Sequence, residues 1–311
     1  MKKISFYKTL FSWVVVGLTL LFFAKTLRNN WDNLEGISIR PDMYVLAGII
    51  LFVISIVSSG ILWGKIVEKL TKIKLDSTES VRVHLASWLL KYIPGQAGSL
   101  INKIAWGRKN KIDGKKITTS FIYENVFLLL ASTVPAIPIL FIALGNKFRE
   151  DSALFLPLLI AIPFVVVVLS PWFFTKAINL VFKLAKKQNL SERDMLSSKD
   201  NLRFFSLFII PRIFNGAAFV FIAESLINLS PSHYLVFGSL YVLAGIVGVL
   251  AIFVPSGLGV REAVIVLFAS AYVPVEQAVL LALISRLYAT LADILVAAIY
   301  LWLKHGGKKT A

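Results

Sequence analysis

The sequence has no cysteine and only three histidines among its 311 residues. Without cysteine there can be no disulfide and no thiolate metal site. His84, His233 and His305 are scattered along the chain, unlike the closely spaced histidines of a zinc site. We therefore expect no metal and no other cofactor.

The sequence also lacks the motifs of common catalytic sites. It contains no Walker motif, so we expect no ATP hydrolysis by this chain alone. It contains no HExxH, no GxSxG and no paired-carboxylate motif, which excludes the reaction classes that these motifs serve. We expect no catalytic residues and no enzyme activity.

Apolar residues are abundant: 57% of the chain is hydrophobic, and the mean hydropathy is +0.77. A soluble domain of this length would carry more charge, and several runs approach the ~20 residues that cross a bilayer. The start of the chain resembles a signal peptide but lacks a small-x-small cleavage site, so we interpret it as a retained helix. The predicted full transmembrane helices cover 10–24, 44–64, 118–144, 153–175, 202–225 and 277–303.

A Pro/Gly break interrupts each of the two remaining apolar stretches, 81–105 and 234–272. The first break reads YIPGQAG from Tyr92, and the second reads FVPSGLGVRE from Phe253. Irregular backbone survives at membrane depth only where it is buried in protein or lines a cavity. Paired breaks in two halves of a chain point to a transporter's binding site. The break residues are Pro94, Gly95 and Gly98 in the first stretch and Pro255, Gly257 and Gly259 in the second.

The distribution of the 33 Lys and Arg residues predicts the topology. If both broken stretches return to the side from which they enter, the inside segments hold 22 basic residues and the outside segments hold 5. The positive-inside rule then places both termini in the cytoplasm of a multi-pass cell-membrane protein. This bias also explains the net charge of +16 without a nucleic-acid partner. The two broken stretches become re-entrant helical hairpins of opposite orientation.

Each half of the chain follows the same plan of two helices, a re-entrant hairpin and a helix. The predicted first repeat covers 1–145, with its hairpin at 81–105. The second covers 146–311, with helices at 153–175 and 202–225, a hairpin at 234–272 and a helix at 277–303. Pro94 and Pro255 are 161 residues apart, and Glu124 and Arg286 are 162 apart. The predicted fold is an all-α polytopic membrane protein with an inverted repeat.

Charged residues inside apolar sequence are candidates for function, because a charge at membrane depth needs a partner or water. Arg261 follows the second break, where a helix starting near Gly259 would offer free N–H groups to an anion. The alternative is an Arg261–Glu pair that only holds the hairpin. Lys91 either serves the same anion or reaches the cytoplasmic interface. The candidates for phosphate or head-group binding are Arg261, Gly257, Gly259, Lys91, Gly95 and Gly98.

A second group of residues is predicted to form a charge network or to couple proton movement. Glu124 could pair with its repeat counterpart Arg286, and Asp293 lies two turns after Arg286 on the same helix face. Arg212 follows Pro211 within a helix, where proline frees a carbonyl, whereas Glu224 is expected near the outer interface. Lys103 is assigned to a basic cytoplasmic loop. The network residues are Glu262, Glu124, Arg286, Asp293 and Arg212.

The segments YIPGQAG and PSGLGVREA resemble the lysylphosphatidylglycerol synthase transmembrane-region family, also called flippase-like domain proteins. The resemblance covers nearly the whole chain, and Glu124 and Arg286 match the family's ErL-like and yRl-like patterns. Asn102 stands where a basic residue is common, and Asn125 and Ser256 replace a usual Arg and Gly. The resemblance implies movement of aminoacylated phosphatidylglycerol or lipid-linked sugars between leaflets. Some members carry a soluble transferase domain, which we do not expect here because the chain ends eight residues after Leu303.

The sequence therefore favours a stand-alone lipid translocase for an anionic or phosphate-linked lipid, and it leaves two alternatives open. One is a membrane-embedded transferase that acts on a lipid-linked donor, which a metal requirement or a released product would indicate. The other is a non-transporting subunit that docks a separate glycosyltransferase or aminoacyltransferase through the loops at 103–116 and 183–199. The oligomeric state is not predicted.

Overall fold

The computed structural model describes residues 42–92, 97–145, 195–251, 254 and 257–306, and five isolated residues at 28, 176, 179, 180 and 183. Regular structure in these ranges is entirely helical, which confirms the predicted all-α class. The described α-helices are α1 (Met43–Thr71), α2 (Ser77–Leu89), α3 (Ala97–Lys109), α4 (Gly114–Leu144), α5 (Ser198–Ile227), α6 (Tyr234–Leu250), α7 (Val260–Ala269) and α8 (Val275–Gly306). Short 3₁₀ turns occupy Leu90–Tyr92 and Pro231–His233.

Capping side chains determine where several helices begin. Asp42 accepts a hydrogen bond from the Val45 N–H at the start of α1, and Asp76 and Ser197 play the same part for α2 and α5. These side chains satisfy N–H groups that have no partner within the helix. Lys72 and Asn228 end α1 and α5 in the left-handed region, a common helix stop.

Five described helical segments are long and apolar enough to cross a membrane: 43–71, 114–143, 198–227, 231–250 and 275–305. Three of them contain the predicted spans 44–64, 202–225 and 277–303, and a fourth covers all but the last residue of the predicted span 118–144. The fifth is α6 with its preceding turn, which the sequence assigned to a hairpin arm. The predicted spans 10–24 and 153–175 lie outside the described residues.

The first broken stretch forms a helical hairpin in which α2 and α3 pack antiparallel. Asn102 Nδ2 donates to Ser87 Oγ over 2.9 Å, and Trp106 Nε1 donates to Glu79 Oε1 over 2.8 Å. Each arm has 13 residues, or about 20 Å. That is shorter than the ~30 Å hydrocarbon core of a bilayer. The turn containing Pro94 and Gly95 lies outside the described residues.

The second broken stretch forms another helical hairpin, made of α6 and α7. Gly257 has a φ of +65°, and a Cβ at this position would lie 2.6 Å from Gly248 Cα. Only glycine allows both the left-handed backbone and this close approach of the two arms. The arm α7 has 10 residues, about 15 Å, so the prediction that it is too short to span is confirmed.

The described helices occur in the same order twice: a long helix, a hairpin and a long helix. Within the halves, α1 packs against α2, and α5 packs against α6. Between the halves, α1 packs against α5, α2 packs against α8, and α6 packs against α4. If each of α1–α4 is exchanged for its counterpart among α5–α8, the same set of contacts results. The two halves therefore contact each other through equivalent helices.

Glycine allows close helix packing at comparable places in both halves. A Cβ on Gly60 of α1 would lie 3.0 Å from His84 Cβ on α2, and one on Gly216 of α5 would lie 3.1 Å from the Gly238 carbonyl oxygen on α6. Small residues commonly bring membrane helices together in this way. Each hairpin is thereby held against the long helix that precedes it.

Candidate functional site

A cavity of about 380 Å³ lies between the two hairpins and the long helices. All eight described helices contribute to its wall, and the volume is typical of small-molecule binding sites. Residues that are far apart in sequence therefore share one polar space within an apolar bundle. Its Lys, Arg, Asp and Glu residues are Lys91, Lys103, Glu124, Arg212, Arg261, Arg286 and Asp293.

Glu124 of α4 is paired with the first hairpin. Its Oε2 accepts a hydrogen bond from Lys103 Nζ on α3, and its Oε1 lies 2.9 Å from His84 Nδ1 on α2. The three side chains are at most 7% exposed, and Lys103 also lies 4.4 Å from the centre of the Trp63 ring. The expected Glu124–Arg286 pair is thus replaced by a pair within the first half. The pairing follows from α3 packing directly on α4.

The position of Lys103 corrects its assignment to a cytoplasmic loop. Its side chain is 1% exposed, whereas Arg108, Lys109 and Lys111 farther along the same segment are exposed. Without Lys103 the cytoplasmic count falls from 22 to 21 basic residues against 5 outside, so the topology argument is unaffected. Lys103 was assigned to a loop because the exposed cations Arg108, Lys109 and Lys111 follow it closely in the sequence.

Lys91 and Asp293 join the first hairpin to α8. Lys91 Nζ lies 2.7 Å from Asp293 Oδ2, and Trp88 Nε1 donates to Asp293 Oδ1 over 2.7 Å. Lys91 also sits 4.2 Å from the centre of the Trp88 ring. Of the two expectations for Lys91, the structure favours a place in the cavity over one at the interface. Asp293 has the bundle-facing position that its spacing from Arg286 predicted.

Arg286 of α8 is paired with Glu262 of α7. Arg286 Nη1 lies 3.6 Å from Glu262 Oε1, while Glu262 Oε2 accepts a 2.7 Å hydrogen bond from the Gly259 N–H. The start of α7 at Val260, capped by Gly259, agrees with the sequence prediction. However, the Gly259 N–H is already satisfied by Glu262, so it is not available to an external anion. Neither Gly259 nor Glu262 lies on the cavity wall.

Arg212 and Arg261 face the cavity from α5 and α7. The Arg261 guanidinium carbon lies 4.2 Å above the centre of the Tyr241 ring, and the positive charge of Arg261 acts on Arg212. Arg212 Nε is buried without a hydrogen-bond partner. Among the described residues, no carboxylate lies within 4 Å of either guanidinium. These are the cavity's most available anion-binding groups.

Of the other predicted site residues, some line the cavity and others do not. Gly257 lies on the cavity wall, whereas Gly98 is buried but is not part of it. Gly95, Pro94 and Pro255 lie outside the described residues. Glu224 is away from the cavity, and its Oε2 accepts a hydrogen bond from the exposed Tyr234 hydroxyl, in keeping with an interfacial position.

Several uncharged polar residues of the wall were missed by the sequence reasoning. Nothing in their local sequence separates them from polar residues that only join helices. The described part of the chain holds no group of three His, Asp or Glu side chains suited to a metal ion. The missed residues include His84, Ser87, Ser99, Asn215 and Thr290.

Glu79 holds together the base of the first hairpin, outside the five candidate spans. It accepts hydrogen bonds from Arg82 on its own helix and from Trp106 on the other arm. Burial by itself would raise the pKa of the Glu79 carboxyl, but these hydrogen bonds and the charge of Arg82 keep the pKa below its ordinary value. Glu79 therefore stays ionised at neutral pH and fastens the two arms.

A comparison with models of protein families identifies the family of this chain. The family model described as lysylphosphatidylglycerol synthase TM region matches residues 8–297. The matched range includes both hairpins and every charged residue of the cavity. No curated protein matches the chain.

Proposed function

This chain belongs to the lysylphosphatidylglycerol synthase transmembrane-region family, and from that premise we propose that it is a lipid translocase. It moves an anionic or phosphate-linked lipid between the leaflets of the cell membrane. The observation that carries the proposal is the polar cavity, in which charged residues of both halves meet inside an apolar bundle. Such residues in a membrane protein mark substrate pathways.

The two hairpins enter the membrane from opposite sides and meet near its midplane. Their antiparallel arms, and the shortness of α2, α3 and α7, support this arrangement. The backbone breaks at their tips are then sheltered by protein, as irregular backbone at membrane depth requires. With both termini in the cytoplasm, the first hairpin opens to the inside and the second to the outside.

The two halves form an inverted repeat that provides alternating access to the cavity. The reciprocal packing of α1–α4 and α5–α8 supports this view, because exchanging the halves reproduces the contacts. A repeat of this kind has two related states, each opening the site to one side. The division of the chain at residue 145 belongs to this proposal.

The lipid head group slides through the cavity while its acyl or prenyl tails remain in the bilayer. Arg261 binds phosphate oxygens, for which the guanidinium fork is well shaped, and Lys91 and Gly257 line the same space. The buried group of Glu124, Lys103 and His84 balances charge and can relay a proton when the head group passes. Large exposed apolar residues on the outside of the bundle, such as Ile142, Ile213 and Ile294, contact the tails.

Reconstitution into liposomes tests this function. Lipids with a fluorescent head-group label are distributed in both leaflets, and loss of fluorescence on adding a membrane-impermeant quencher reports flipping. We expect flipping by the wild-type chain and at least a tenfold lower rate for Arg261→Ala, since hydrogen bonds to a charged group are worth about 1.5–3 kcal/mol. Arg108→Ala, at an exposed position, serves as the control.

Different results would favour other functions. Full activity of Arg261→Ala would refute its phosphate role. A released product or a metal requirement without flipping would indicate a membrane-embedded transferase. Suppose that neither is found, and that a glycosyltransferase or aminoacyltransferase co-purifies and depends on the exposed cations Arg108, Lys109 and Lys111. That result would indicate a partner subunit.

A further inference from the structure

The cavity contains more positive than negative charge. Five of its wall residues are Lys or Arg, and two are Asp or Glu. Three of the five cations have a carboxylate within 4 Å. Two of these carboxylates line the cavity, and the third, Glu262, does not. The remaining two cations are Arg212 and Arg261. The pairs are Lys91–Asp293, Lys103–Glu124 and Arg286–Glu262.

Among the described residues, no carboxylate compensates the charges of Arg212 and Arg261. The Arg212 Nε is buried without a partner, and the nearby positive charge of Arg261 is unfavourable to it. Tyr241 gives Arg261 a cation–π contact and a hydrogen-bond partner but no negative charge. Uncompensated charge in an apolar bundle is costly, so these two guanidinium groups are arranged for an anion that arrives with the substrate.

The acidic side chains of the wall also favour an anionic substrate, because they are already paired. Asp293 is engaged by Lys91 and Trp88, and Glu124 is engaged by Lys103 and His84. An ammonium group on a head group would have to displace one of these lysines to find a carboxylate. The cavity therefore disfavours binding of cationic head groups.

We infer that the cavity selects a lipid whose phosphate oxygens carry about two negative charges, either a diphosphate diester or a phosphate monoester. This inference rests on the proposed function and names its substrate class. Two guanidinium forks on the wall of one cavity can bind such a dianion with several charge-assisted hydrogen bonds. A phosphodiester such as phosphatidylglycerol supplies only one negative charge. Lysylphosphatidylglycerol has the same single negative charge and two ammonium groups, so it is net positive at neutral pH.

Binding of lipids of defined charge to the purified full chain tests this selection. The probes are a polyprenyl diphosphate N-acetylglucosamine, phosphatidic acid, phosphatidylglycerol and lysylphosphatidylglycerol, each presented in nanodiscs of otherwise zwitterionic lipid. We expect the first or second to bind at least tenfold more tightly than phosphatidylglycerol, and lysylphosphatidylglycerol to bind most weakly. The order of the first two distinguishes a diphosphate from a monophosphate ligand.

Two variants separate binding from a structural role. Arg212→Gln and Arg261→Gln should each weaken binding of the dianionic lipid about tenfold to hundredfold. In the empty protein, Arg212→Gln should raise the unfolding temperature because it removes a repulsive buried charge, whereas loss of a structural contact would lower it. Arg203→Gln, at an exposed position of the same helix, should change neither quantity.

Flipping of the same four lipids distinguishes failure of this inference from failure of the proposed function. Equal or preferred binding and flipping of lysylphosphatidylglycerol, unaffected by Arg212→Gln, would overturn the charge selection while the translocase stands. Flipping of none of the lipids by a folded protein would overturn the translocase itself. Preferred flipping of a dianionic lipid that depends on both arginines supports both.

Discussion

At the scale of single residues, the cavity combines compensated and uncompensated charges. Lys103 and Glu124 are almost completely buried and paired, so each supplies the charge that makes burial of the other tolerable. Arg212 and Arg261 have no such arrangement among the described residues. Substitutions in the Lys103–Glu124 pair should therefore lower stability. Substitutions of Arg212 or Arg261 should instead weaken substrate binding.

Removing one partner of the Lys103–Glu124 pair should destabilise the protein. Glu124→Gln leaves the Lys103 ammonium buried without its carboxylate, and such a loss costs about 3–5 kcal/mol. Thermal unfolding followed by tryptophan fluorescence measures the effect. The double variant Lys103→Met with Glu124→Gln should recover much of the loss, and Lys109→Gln at the exposed end of α3 should have little effect. An unchanged unfolding temperature for Glu124→Gln would contradict the pair's structural role.

Gly257 is a residue at which a methyl group should be poorly tolerated. Gly257→Ala combines an unfavourable left-handed backbone, about 1–2 kcal/mol, with a Cβ that meets Gly248 Cα at 2.6 Å. We expect a clear fall in unfolding temperature. Gly245→Ala in the same hairpin is the matched control, because its Cβ would have nothing within 4 Å and alanine favours a helix by up to about 1 kcal/mol. Equal tolerance of the two changes would argue against the close approach of the arms.

At the scale of elements, an ion pair joins each hairpin to the long helix that follows it. The hairpin supplies the cation in one half and the carboxylate in the other. In the first half the hairpin provides the cation, Lys103, and α4 provides the carboxylate. In the second half the hairpin provides the carboxylate, Glu262, and α8 provides the cation, Arg286. The sequence expectation paired Glu124 with Arg286 directly, whereas each pairs within its own half.

Loosening the second of these attachments should mobilise the second hairpin. Glu262→Gln removes the charge opposite Arg286 and weakens the cap on the Gly259 N–H, each a contribution of about 1 kcal/mol or more. Hydrogen–deuterium exchange should rise in α7 while α2 and α3 remain protected. Glu224→Gln, which retains an acceptor for the Tyr234 hydroxyl, is the control. Uniform exchange throughout the bundle would instead indicate global destabilisation.

At the scale of the whole molecule, the reciprocal packing of the halves surrounds the cavity with both hairpins. A translocase needs this cavity to be reachable by water and by the head group from each side in turn. The absence of native cysteine makes accessibility directly measurable. The structure also shows where a cysteine can be introduced without strain.

Ser99→Cys on the first hairpin and Gly245→Cys on the second should react with a membrane-impermeant maleimide. Both positions line the cavity, and a side chain at 245 enters open space. We expect labelling of both, with a dependence on the face of reagent addition that changes when lipid substrate is bound. Ala223→Cys in the apolar core, where the side chain is 0% exposed, should remain unlabelled. Protection of both cavity positions from both faces in a folded protein would count against a transport pathway.

The positions of several elements followed from the sequence alone. Long apolar runs identified four of the candidate spans, and the glycines of the second break located the start of α7 after Gly259. These features depend on local physics, namely the length needed to cross a bilayer and the backbone geometry that glycine permits. The family followed from the same local motifs.

The partners of the charged residues were decided only by the tertiary structure. Glu124 faces Lys103 because α3 packs on α4, and Asp293 faces Lys91 because α2 packs on α8. Residue type predicts that a buried charge needs compensation, but the choice of partner depends on contacts between residues up to about 200 positions apart. For the same reason Lys103 seemed to belong to a loop, and the uncompensated pair of Arg212 and Arg261 became visible only once the helices were assembled.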